Sequence, residues 1–235
     1  MLDLSTFLMW CPGVAAIIVS LIYHRGENAM MIRKVRLRYI LYAVFLPLIY
    51  WGVSYSIYFL LYGKDVIGEN MLASLIKDPK TLIMALFLYF ITALGEEIGW
   101  RGYMMPKLNE VFGFKKGVAI CGIIWFLWHL PVFLSSYMSS IPLWYQIPTL
   151  FMLIIAWAYP MAFLSLRSRS VWPVAFCHAT HNFVSQLLLD QSIGGDMRPY
   201  LVGETGIISV VVLIFIAILI SNQYLLNEKF SMRNS

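Results

Sequence analysis

Seven stretches of this chain run apolar for long enough to be read as membrane helices. They fall at roughly 4–23, 39–62, 81–105, 117–134, 147–166, 171–189 and 207–226, close to the about 20 residues that cross a hydrocarbon core. The third and sixth are the least apolar. The first has Asp3 rather than a basic flank ahead of its apolar run and Arg25 behind it, so it reads as a retained span and not a cleaved signal peptide. Pro47, Pro160 and Pro173 lie inside or at the start of spans, where neighbouring helices tolerate a kink.

Composition agrees with that pattern. Of 235 residues 60% are apolar and 12% charged, a balance foreign to soluble domains of this length. The net charge of +5 does not point to nucleic acid, because the basic residues cluster in short loops beside the apolar runs, where they set topology. An outside N-terminus puts all but four of the 17 basic residues in the cytoplasm, Arg101, Lys107, Lys115 and Lys116 among them, and leaves Lys64, Lys77, Lys80 and Arg198 outside. The three cysteines, Cys11, Cys121 and Cys177, stand singly in apolar stretches and form neither a disulfide framework nor a metal-ligand spacing. No internal repeat or linker divides the chain. The expected fold is therefore one all-α domain over residues 1–235, a multi-pass cell-membrane helix bundle of about seven transmembrane helices, N-out and C-in.

Polar residues at membrane depth carry the chemistry. Ten of the 12 acidic residues lie in loops or tails; Glu96 and Glu97, in "ALGEEIGWRGYMMP", do not. An ionisable group at the bilayer centre costs about 2.5–3.5 kcal/mol on insertion scales and usually marks a functional path or site. Glu97 and Arg101 are four apart with the acid first, the favourable order for a pair on one helix face. Glu96 is rotated by about 100° from Glu97. It is left without a local partner, available as a general base if other parts of the fold organise it. As a bland alternative, the acids lie at the cytoplasmic interface and are neutralised by Arg101.

Histidines on two other spans supply the organising groups. His129 ends the run "CGIIWFLWH", with Pro131 beyond it to bend or end the helix. In "FCHATHNF", His178 and Asn182 share a helix face while His181 points elsewhere. Counted from the cytoplasmic ends, Glu96 lies about nine residues in, His129 about twelve and His178 about seven. All three fall in reach of one cytoplasmic-side pocket. His24, in a basic loop, reads as solvated.

With these residues in view, "EEIGWR" resembles the Glu-Glu-x-x-x-Arg motif of the CAAX-protease and bacteriocin-processing family of intramembrane proteases. This family, also called Abi, contains the type II CAAX prenyl endopeptidases. "HATHN" is similar to its His-x-x-x-Asn motif, and His129 matches the histidine of its Phe-x-x-x-His motif, with Trp125 in place of the phenylalanine. An aromatic on the same face leads us to expect altered packing there rather than lost chemistry. The resemblance covers residues 90 to 185, within a motif-bearing core of about 81–190. It implies that Glu96 is the catalytic glutamate supported by Glu97 and Arg101, that His129 is the first active-site histidine, and that His178 with Asn182 is the second active-site pair.

Two chemistries stay open. In one, Glu96 and His129 hold and deprotonate a water while His178 and Asn182 donate to the oxyanion. In the other, Glu96, His129 and His178 ligate zinc. The compact zinc motif His-Glu-x-x-His is missing, and Asn182 suits an oxyanion donor, so the balance leans to no cofactor. A serine motif Gly-x-Ser-Gly is absent, "IGGD" departs from Gly-x-Gly-Asp, and Cys177 faces away from His178. The expected activity is hydrolysis of a peptide or protein substrate entering from the bilayer or the cytoplasmic leaflet, by CAAX-type or bacteriocin-like processing. The alternative is a non-catalytic membrane protein on the same scaffold, a bacteriocin self-immunity factor or a carrier.

Overall fold

The structure, a computed structural model, describes residues 4–25, 27–136 and 141–233. Asp3 lies outside these residues, as do the side chains of Lys229 and Arg233. All seven expected segments are helical. The chain runs α1 (Leu4–Tyr23), α2 (Leu37–Tyr62), a short α3 (Met71–Lys77), α4 (Pro79–Glu97), α5 (Met105–Ser136), α6 (Leu143–Ser168) and α7 (Trp172–Asn182). Two short helices, α8 (Asp190–Ser192) and α9 (Arg198–Leu201), lead to α10 (Ile207–Arg233). Among the described residues the only extended pairing is a single bridge between Ile67 and Ile193. The fold is an all-α membrane helix bundle.

By length and composition, four described stretches can cross a membrane: Leu37–Tyr62, Pro79–Pro131, Leu143–Ser168 and Ile207–Tyr224. Their outward faces stay apolar; Phe45, Ile49 and Val53 of α2 are exposed, as are Val211, Phe215 and Ile218 of α10. In water such a surface would be an aggregation liability, and in lipid it is the normal exterior. The sixth expected span is not among the four. Its helix, α7, is instead packed at the centre of the bundle against α4, α2 and α6.

Two expectations about the middle of the chain are corrected. The loop between the third and fourth segments does not exist. α4 passes through a π-helical stretch, Ile98–Met104, straight into α5, and the chain turns only at Gly113, whose φ of 72° and ψ of 172° interrupt the helix. A positive φ costs glycine nothing. Arg101, expected in a cytoplasmic loop, is therefore a fully buried residue of the helical stretch. At Pro131, expected to bend or end its helix, α5 continues to Ser136.

The start of α4 is set locally. Asp78 accepts from the backbone N–H and the hydroxyl of Thr81, and Pro79 occupies the first turn, where its missing N–H is harmless. The hydroxyl hydrogen bond holds the Asp78 carboxyl below its ordinary pKa. Towards its other end α4 is pressed against α1 through Gly95 and Gly99, spaced as in small-residue helix contacts. A methyl added at Gly99 would come within 2.5 Å of the Pro12 backbone, and one at Gly95 within 2.7 Å of the Trp10 ring. Gly99→Val is expected to lower the melting temperature of the detergent-solubilised protein, at a cost of about 1–3 kcal/mol. Gly52→Ala, where a methyl meets nothing within 4 Å, should show no such loss.

Candidate active site

With its glycines turned to α1, the same turn of α4 aims the glutamates into the bundle. Glu96, Glu97 and Arg101 are all at most 1% exposed. The Arg101 guanidinium donates from Nη1 to Glu97 Oε1 over 2.9 Å, the four-residue pair expected from spacing. The same oxygen accepts from Nδ1 of His178 at 2.8 Å, a contact bridging 81 residues of sequence between α4 and α7. A carboxylate already receiving an arginine proton can only accept here, so Nδ1 of His178 carries hydrogen and Nε2 faces away from the pair.

Support is thus divided differently from expectation. Glu97 and Arg101 hold His178 rather than Glu96. Glu96 is not left alone either: its Oε2 accepts from the indole N–H of Trp125 on α5, at 2.9 Å. One turn further along α5, His129 donates from Nδ1 to the Trp125 carbonyl at 2.9 Å, which again leaves Nε2 unengaged in that bond. His129 is only half-buried, unlike His178.

Trp125 sits at the crossing of these contacts. Its ring centroid lies 5.3 Å from that of His129 and 5.8 Å from that of His178, edge-on to both. The Arg101 guanidinium carbon stands 3.8 Å over the same ring, a cation–π contact worth about 2 kcal/mol where water is excluded. Glu96, Glu97, Arg101, His129 and His178 are therefore gathered around one indole. Asn182 lies a helical turn beyond His178 and is buried at the last residue of α7, just before the helix widens into a second π-helical stretch, Phe183–Leu189. π-Helical turns are frequent at functional sites; here one begins directly after the two acids and another directly after Asn182.

His181 does point elsewhere. Its ring is enclosed by Tyr50, Trp51 and Trp157, with centroids 5.7, 5.2 and 4.9 Å away, and its Nε2 is 3.9 Å from Glu204. His24 is not simply solvated, since it bonds Glu27 and packs edge-on against Tyr103. Cys121 and Cys177 are buried free thiols and Cys11 an exposed one.

The residues of the alternative zinc chemistry are Glu96, His129 and His178. Among the described residues no three His, Cys, Asp or Glu side chains stand close enough together to hold one metal ion. Glu96 bonds Trp125 through Oε2 and His178 bonds Glu97 through Nδ1.

Residues 78–184, which hold every one of these side chains, match the family model described as Rce1-like type II CAAX prenyl endopeptidase. A Methanococcus maripaludis protein named CAAX prenyl protease 2 is 30% identical over 135 residues, which is 55% of this chain and 47% of the relative. The chain thus spans about half the length of that relative. The match to the Rce1-like family model, together with the apolar helices, makes this a multi-pass membrane protein.

Proposed function

We propose that this chain is an intramembrane endopeptidase of the CAAX type, acting on a membrane-associated peptide or protein by a metal-free, glutamate-activated water. The observation carrying the reading is the division of the two acids. Glu97 is neutralised by Arg101 and bonded to His178, whereas Glu96 takes a single neutral donor on one oxygen and keeps Oε1 for a water.

The chemistry follows from those contacts. Glu96 takes a proton from water, and the resulting hydroxide adds to the scissile carbonyl. His129, with its proton fixed on Nδ1, offers Nε2 as an acceptor that orients the water. His178, held through Nδ1 by Glu97, donates to the tetrahedral oxyanion from Nε2 as an imidazolium. The Asn182 amide is the second donor. Collapse of the intermediate returns the proton from Glu96 to the leaving amine.

The test uses the purified full chain in liposomes, with fluorogenic peptides ending in Cys-aliphatic-aliphatic-X in prenylated and unprenylated forms. Cleavage of a prenylated peptide after the modified cysteine is the expected result. Prior treatment with a strong zinc chelator, with residual zinc measured on the same sample, should leave turnover within about twofold of the untreated rate. Loss of turnover that returns on adding zinc defeats the metal-free mechanism, and no cleavage of either peptide defeats the reading as a CAAX protease.

A further inference from the structure

Trp125 stands where the family motif has phenylalanine, and packing alone is what its position leads one to expect. Its contacts go further. The indole N–H is spent on Oε2 of Glu96, and indole N–H groups are not so used throughout the bundle: those of Trp51, Trp100 and Trp157 are buried and reach no acceptor among the described residues. A phenylalanine could present an aromatic face to Arg101, but it has no hydrogen to give.

We propose that Trp125 is the positioning residue for Glu96, its indole N–H holding one carboxylate oxygen so that the other faces the reacting water. The inference rests on the proposed proteolytic function. The terminal torsion of a glutamate is broad and roughly two-fold, so without an anchor its carboxylate samples orientations in which neither oxygen meets the water squarely. A hydrogen bond to one oxygen removes that freedom, and a bond to a charged acceptor is among the stronger kinds. Trp125 is itself held on two sides, by the Arg101 guanidinium against its face and by the His129 bond to its carbonyl. An anchor that is 3% exposed and fixed in this way transmits the geometry of α5 to an acid on α4.

Trp125→Phe removes the N–H and keeps an aromatic face toward Arg101 and the backbone carbonyl that His129 bonds. The expected result is a fall in kcat of about tenfold or more with KM unchanged, the signature of an interaction that serves the transition state. A variant with wild-type kcat overturns the proposal. A second measurement does not depend on turnover. In nanodiscs with 15N-indole labelling the chain has eight tryptophan N–H signals, and the one that vanishes in Trp125→Phe is that of Trp125. Retention of the other seven shows that the variant folds. Glu96→Ala, with Trp125 in place, should move that signal upfield as its carboxylate acceptor is lost; a signal that stays put overturns the proposal. A wild-type chain that cleaves no CAAX peptide defeats the functional reading instead, and the indole signal then still decides whether Trp125 holds Glu96.

Discussion

Glu96→Gln is expected to lower kcat by about 10²–10⁴-fold, the range that a positioned general base supplies. Expression, membrane insertion and melting temperature should stay near wild type. Glutamine keeps the volume of the side chain and an oxygen to accept the Trp125 N–H, so the fold loses little. It cannot take a proton from water. The measurement is single-turnover cleavage of the peptide that the wild type cuts best, with thermal melting of the same preparations. A glutamine variant that retains a tenth or more of wild-type turnover removes Glu96 from the role of base. His178→Ala is expected to fall by a similar factor through a different step, and the two losses should be far from additive because both act on one transition state.

The second large effect concerns stability. Arg101 is completely buried between Glu97 and the Trp125 ring. Arg101→Ala leaves an unbalanced carboxylate in the centre of the bundle, and breaking one side of such a pair costs about 3–5 kcal/mol. Melting of the detergent-solubilised protein should shift down accordingly. Lysine is not a conservative replacement, since its point charge cannot lie flat on the indole while bonding Glu97. The double variant Arg101→Leu with Glu97→Leu is expected to recover much of the stability, because an apolar pair often replaces a buried ion pair at little cost. It should recover none of the turnover, since His178 then has no acceptor for Nδ1. Recovery of both would mean that Glu97 and Arg101 serve packing alone.

The parts of this site that could be read in the sequence are those that depend on a single helix. The Glu97–Arg101 pair follows from a spacing of four and is observed. The contacts that distinguish the two acids run between helices. Glu97 reaches His178 across 81 residues and Glu96 reaches Trp125 across 29, and helical periodicity carries no information about either. Hence the support expected for Glu96 belongs to His178, and the partner of Glu96 was visible only as an aromatic substitution. The uninterrupted path from α4 to α5 was hidden for another reason. Lys107, Lys115 and Lys116 look like a loop by composition, whereas only Gly113 breaks the helix. Glycines at 99 and 102 were the available sign that the backbone between the acids and α5 is not an ordinary α-helix.

α1 and the connection after it lie wholly before residue 78, where the family match begins, yet they form the floor under the reacting groups. Pro12 and Gly13 touch the backbone of Gly99 and Gly95, on either side of the two acids, and the Met30 carbonyl fills the space beside Gly102. The same connection receives the Val171 N–H on Met31 and the Ser170 hydroxyl on Arg33, which fixes where the His178 helix begins. A fragment cut to the matched region would keep the candidate site's side chains and lose the surface that sets the distance between the helices bearing them. The unit that can be transplanted or truncated is accordingly larger than the unit that family comparison recognises, and includes α1.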